Sequence, residues 1–217
     1  INMRELSKVL TKLDRDDDGF FYVDDPPKKL GLNKKSIKSL EKKLERIFFK
    51  LDGASLKYPY ASNRNLILRD VTSYAEIISL VKSLTNNSNH SVIEIGPSVS
   101  GMIALYSLAL EGYDCIGADI DERSKYLPSE ILEFMNDGKL KFINQRGEIL
   151  NKFLPRDSID LIYFSHMEDN PWDLSYDQVV KNMDDILKKG GVFIVDSFGF
   201  DHIFPHSSFS KLGYQCY

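Results

Sequence analysis

Only two cysteines occur in 217 residues, Cys115 and Cys216, too few and too differently placed for a disulfide framework or a zinc site. A reducing, cytoplasmic location and no bound metal are therefore expected. No apolar run reaches the length that crosses a bilayer, and the first residues mix polar and apolar types where a leader would be charged and then apolar. The expectation is a soluble protein with no membrane partner. An excess of one charge is lacking too: a net charge of -4 gives no general drive toward nucleic acid or an anionic surface. There is no internal repeat and no low-complexity tract. What is present is 42% hydrophobic content, enough for one sizeable core and a small subdomain, two domains being the upper limit.

The most informative stretch is Ser91-Val-Ile-Glu-Ile-Gly-Pro-Ser-Val-Ser-Gly101, followed by Tyr113-Asp-Cys-Ile-Gly-Ala-Asp119. The apolar run ending in Glu94-Ile95-Gly96 reads as a buried strand entering a small-residue turn, and Met102 to Glu111 has helical spacing. A second strand then ends on an acid. Strand, turn, helix, strand and acid in that order form a cradle for an adenosine-containing cofactor. Small residues admit the backbone to the ligand, and the carboxylate holds two ribose hydroxyls.

Residues 1–85 read as helix-rich, and from about residue 90 strand and helix signals alternate, as in an α/β domain with a parallel sheet. The division expected is a helical cap over 1–85 and a Rossmann-like domain over 86–217. In the first part Leu6, Val9, Leu10 and Leu13 repeat at helical spacing, as do Ile37, Leu40, Leu44, Ile47, Phe48 and Leu51. Ser73 with Glu76 resembles a capping box opening a helix that carries Ile77, Leu80, Val81 and Leu84. In the second part strands are expected at 92–95, 114–118, 140–144, 160–165 and 192–196. Ser175 is expected to cap a helix with Val179, Val180, Met183, Ile186 and Leu187 inward, which Gly190-Gly191 would end. Lys211 to Tyr217 could supply a sixth strand, and no seventh is visible.

From residue 90 onward the pattern resembles the class I S-adenosylmethionine-dependent methyltransferases. Glu94-Ile-Gly96 and the small residues to Gly101 match the family's acid and glycine-rich turn. Asp119 matches the acid ending strand two, and Glu148 in Gly147-Glu148 matches the acid after strand three. Asp160 opens the fourth strand as in the family, and Ile186-Leu-Lys-Lys-Gly-Gly-Val-Phe-Ile-Val195 matches the apolar strand signature after paired glycines. The resemblance implies a doubly wound, mostly parallel sheet that binds S-adenosyl-L-methionine, with the family's last strand not expected here. Gly96, Ser98 and Gly101 would bring helix N-terminal amides to the methionine carboxylate, and Glu94 would hold the turn and the ammonium end. Asp119 would take the ribose and Glu148 the adenine amino group; the alternatives are a solvated strand-end acid and a surface glutamate. Asp160 reads as structural. The chain departs from the family in placing Ser98 and Ser100 where glycines are commonest, and serine adopts positive φ at a cost.

Methyl transfer needs placement more than a catalytic group. Where the acceptor must lose a proton, His166 after the fourth strand is the candidate base, the alternative being a histidine packed under its loop. Tyr58, Tyr60 and Arg64 ahead of the sheet and Trp172 after the fourth strand are candidate substrate contacts. Asn170-Pro-Trp172 is similar to the Asn-Pro-Pro-aromatic motif of amino-group methyltransferases but lies too far from the strand and lacks the second proline. Asp14 to Asp25 is similar to a calcium-binding loop, yet Pro26-Pro27 stands where the exiting helix should run, so a solvated acidic loop is expected. The basic segment over 28–50 could meet RNA phosphates, and the plainer reading is the wet face of an amphipathic helix. The activity expected is methyl transfer to an O or N atom of a small molecule. The rivals are an NAD-dependent oxidoreductase, since Gly96-x-Ser98-x-x-Gly101 with Asp119 approximates the dinucleotide fingerprint, a non-catalytic partner or scaffold, and a related aminopropyl or aminobutyryl transfer.

Overall fold

Successive side chains of a strand point to opposite faces, so a strand buried on both sides must be apolar at nearly every position. In a computed structural model the three inner strands β1 (Ser91–Ile95), β2 (Asp114–Ala118) and β4 (Ile159–Phe164) come close to this, while the edge strands β3 (Leu140–Ile143) and β5 (Leu187–Val195) are only partly buried and carry Lys141, Lys188 and Lys189. The structure describes residues 33–52, 64–85, 90–164, 173–195 and 206–214. The strands form one parallel sheet in the order β3-β2-β1-β4-β5. This is the doubly wound, Rossmann-like α/β fold expected from the alternation, with its order reversing between β1 and β4. In such sheets the ligand crevice opens beyond the carboxyl ends of the strands at that reversal.

Val92, Cys115, Leu140, Leu161 and Tyr163 face one core, together with α1 (Lys34–Asp52), α2 (Arg64–Thr85), α3 (Val99–Ala109) and α4 (Ser129–Met135). Ile93, Ile95, Ile116, Ala118, Ile162 and Phe164 face the other, with α5 (Tyr176–Asp184) and α6 (His206–Ser210). The first face carries a double helical layer for a reason legible in α3. Met-Ile-Ala-Leu-Tyr-Ser-Leu-Ala is apolar nearly all round, and in α3 only Ser100 escapes burial. A helix of that kind needs cover on both sides. The sheet supplies one side; Ile37, Leu44 and Phe48 of α1 and Val71, Tyr74, Ile78 and Val81 of α2 belong to the core that supplies the other. The outer face of α1 carries exposed Lys34, Lys35, Lys38, Lys42 and Arg46, the wet face expected there. Glu111, just after α3, ties the layers by accepting Lys43 and Lys82 at 2.5 Å each. Among the described residues no helix is long and apolar enough to cross a membrane.

Three local expectations change. Ser73 does not cap a helix, because α2 begins at Arg64 and Val71, two residues before it, is already buried in the core. Ser175 does cap α5, accepting the Gln178 amide at 3.3 Å, but the helix stops at Asp184 and not at the glycine pair. Leu187 already pairs with Ile159, and the next pairing is Leu161 with Val192, so two residues of advance on β4 match five on β5. Gly190, at φ 80°, takes up that surplus within the strand. Lys211 to Tyr214 form no strand: Gly213 at φ 87° and the bonds from its amide to Ser210 O and from the Tyr214 amide to Phe209 O make a glycine-terminated helix end. Residues 215–217 lie outside the described residues.

Candidate functional site

The turn after β1 needs left-handed backbone at one point, Gly96 (φ 72°), whose amide donates to Ala118 O at 2.8 Å. That bond ties the end of β1 to the residue just before Asp119. Ser98 is extended (φ -66°, ψ 178°), and its hydroxyl accepts the Gly101 amide at 3.2 Å as the N-cap of α3. Serine in place of glycine therefore carries no backbone penalty here, since capping and not positive φ is what the position requires. The N-terminus of α3, with its partial positive charge, stands at the carboxyl edge of the sheet.

Glu94 lies beneath this turn and is fully buried. Its carboxylate accepts the hydroxyl of Tyr74 from α2 at 2.8 Å and that of Tyr163 from β4 at 2.7 Å. Tyr163 is its register partner on the neighbouring strand. Burial first, then the charge of Glu94, pushes the Tyr163 phenol well above its ordinary range, so it remains a proton donor. Gly101 leaves room for the group: a Cβ there would come within 2.6 Å of Tyr74 Oη and 2.8 Å of both Glu94 oxygens. Gly117 serves similarly on β2, where a Cβ would collide with Met102 Sδ and come within 3.0 Å of Pro97 Cγ.

Asp119 follows the last residue of β2 and is buried. Its Oδ1 accepts the Asp121 amide at 2.9 Å, which folds the loop back on the strand end, and Asn144 beyond β3 donates to the carbonyls of Asp119 and Ile120 at 3.1 and 2.9 Å. Ile120 is 62% exposed, a large apolar side chain turned to solvent beside that acid. Glu148 sits in a short 3-10 turn over Gly147–Lys152 and is buried, not the surface glutamate of the alternative reading. One oxygen accepts Arg146 Nε at 2.8 Å and the Asp173 amide at 3.1 Å; Oε2 is buried with no hydrogen-bond partner among the described residues. Arg146 also pairs with Asp173 at 3.1 Å.

Asp160 stands at the opposite edge of the sheet, where it accepts the Ser91 amide at 2.8 Å and Lys188 at 2.9 Å. It clips β1, β4 and β5 together, the structural part expected for it. Thus Gly96, Ser98, Gly101 and Asp119 are gathered at the ends of β1 and β2, Glu94 lies below them, and Glu148 packs toward α5, where Asn182 donates to its carbonyl at 2.7 Å. Arg64 opens α2. Tyr58, Tyr60, His166, Trp172 and the acidic loop from Asp14 to Asp25 lie outside the described residues. Sequence reasoning missed Tyr74, Tyr163 and Ile120. Tyr163 carried a signal, the one hydroxyl of an otherwise apolar run that ends level with the strand bearing Glu94, whereas Tyr74 carried none.

The strand order and the turn at its reversal define a Rossmann-like α/β protein. No protein-family model matches the chain, and no curated protein matches it. Among solved structures it is similar to the YcgJ protein from Bacillus subtilis, with 23% identity and a TM-score of 0.38 over 50% of this chain and 44% of that one. It is also similar to a putative S-adenosyl-L-methionine-dependent methyltransferase from Methanococcus maripaludis, with 14% identity and a TM-score of 0.46 over 83% and 70%. A third is a SAM-dependent methyltransferase from Archaeoglobus fulgidus, with 17% identity and a TM-score of 0.43 over 58% and 52%. The alignment thus spans less than two thirds of the first and third of these proteins.

Proposed function

We propose that this chain binds S-adenosyl-L-methionine and transfers its methyl group to an O or N atom of a small molecule, with residues 86–217 as the cofactor domain and 1–85 as a helical cap. The observation that carries the reading is the junction at the sheet reversal: the Gly96 turn and the capped N-terminus of α3 stand beside Asp119 at the end of β2. The donor set fits the cofactor. Amides at the start of α3 suit its carboxylate, Asp119 suits the ribose hydroxyls, and Ile120 offers an apolar surface for a flat base. Glu148 Oε2, a buried acceptor without a described partner, suits an amino group.

When bound, the cofactor supplies a methyl on a sulfonium that is already a good leaving group. The protein's part is then to hold the acceptor in line and keep water out, worth several orders of magnitude in rate. His166 is the proposed base for an acceptor that must lose a proton, and Tyr58, Tyr60, Arg64 and Trp172 are proposed to contact it. A cytoplasmic setting follows from the sparse cysteines.

Calorimetric titration of the whole chain with S-adenosylhomocysteine and, separately, NAD tests this. S-adenosylhomocysteine is expected to bind, and Asp119→Ala to weaken it by about tenfold or more, as loss of a charged hydrogen-bond partner does. Binding of NAD alone would replace the reading with a dinucleotide enzyme. Binding of neither at millimolar concentration would leave a non-catalytic relative.

A further inference from the structure

We infer that Tyr74 and Tyr163 are positioning residues of the cofactor turn, acting through Glu94, so that α2 is a structural part of the cofactor site and not only a cover over the acceptor. The functional half of this rests on the reading above. Glu94 is fully buried, so it influences a ligand through the turn built on it. Its oxygens accept one hydroxyl from α2, at 2.8 Å, and one from β4, at 2.7 Å. The space a Cβ at Gly101 would need is taken by both carboxylate oxygens and by Tyr74 Oη, so the group lies directly under the first turn of α3. A negative charge there is stabilised by the helix N-terminus, and it in turn fixes the direction in which that turn presents its amides. Three elements from distant parts of the chain, α2, β1 and β4, therefore meet beneath one loop. Withdrawing either hydroxyl takes a donor from a carboxylate that water does not reach, and the inexpensive response is a shift of the turn above it.

The protein contains its own control. Thr85 and Tyr113 form a second buried hydroxyl contact, at 2.9 Å, between the far end of α2 and the residue that precedes β2. Tyr113→Phe removes a buried tyrosine bond too, here to a neutral hydroxyl, at the opposite edge of the sheet. The experiment compares Tyr74→Phe, Tyr163→Phe and Tyr113→Phe in the full chain by urea unfolding, titration with S-adenosylhomocysteine and amide hydrogen exchange over residues 96–101 without ligand. Tyr74→Phe and Tyr163→Phe are expected to raise Kd about tenfold and to speed exchange in the turn, while Tyr113→Phe loses some stability, less than they do because its partner is uncharged, with Kd within about twofold of wild type and exchange in the turn unchanged. Unchanged Kd and exchange in Tyr74→Phe would overturn the inference. Equal changes in all three variants would also overturn it, as general loosening. Should the wild type fail to bind S-adenosylhomocysteine, the functional reading falls separately, and exchange in the turn alone decides whether Tyr74 and Tyr163 set its geometry.

Discussion

Gly101 sits so close over Glu94 that a methyl group on its Cα would stand 2.8 Å from each carboxylate oxygen. Alanine at this position gains about 1 kcal/mol of helix propensity, yet overfilling a packed site costs about 1–3 kcal/mol. The second effect wins here because the displaced atoms belong to the buried bond between Tyr74 and Glu94. Gly101→Ala is expected to lower unfolding free energy by about 1–2 kcal/mol, read from the urea midpoint at constant slope.

Asp160 gives the fold a defined acid limb. Burial opposes its ionisation, but the Ser91 amide, Lys188 and His90 outweigh burial and hold the carboxyl below the ordinary range. A depressed folded value means the stabilisation is complete above the unfolded value of about 3.9 and is lost as pH falls through the folded one. Asp160→Asn is expected to cost about 1–2 kcal/mol at neutral pH, and the difference from wild type should shrink steadily below about pH 4. Thermal unfolding across an acid series checks it; a gap that does not close in acid would remove Asp160 from this account.

Glu111 should behave differently, since it and its two lysines are 30–42% exposed. Burial again opposes ionisation, and Lys43 and Lys82 together reverse that and lower its pKa. Solvent screens such a cluster, so Glu111→Gln is expected to cost no more than about 1 kcal/mol and less still in high salt. Urea midpoints of both proteins at low and high salt test this, and a salt-independent loss would count against an electrostatic tie.

Parts of the site that depend on neighbours in sequence were legible. The strand into Gly96, the helical spacing of α3 and the acid after β2 lie within one continuous unit, whereas the capping part of Ser98 was not expected and emerges only once the turn is seen to need positive φ at Gly96 alone. Glu94 was picked out in the sequence as the acid before the turn, but its setting was not legible. Its partners are 20 and 69 residues away, and nothing in the spacing of α2 marks Tyr74 from any other core aromatic. Glu148 was expected beside a base, and its burial against Arg146 and Asp173 is a tertiary fact.

The sequence by itself determined the alternation of strands and helices, the doubly wound class and the apolar helix α3, because hydrophobic period and turn chemistry act over a few residues. Only the tertiary structure decided that α2 starts at Arg64, that Gly190 and Gly191 sit inside β5 and that Lys211 to Tyr214 close a helix. The glycine pair lies in β5 because that segment pairs with β4, and the last turn closes because Gly213 takes the left-handed conformation and returns its amide to Ser210. A local signal is worth about 1 kcal/mol, and burial of a few large side chains exceeds it.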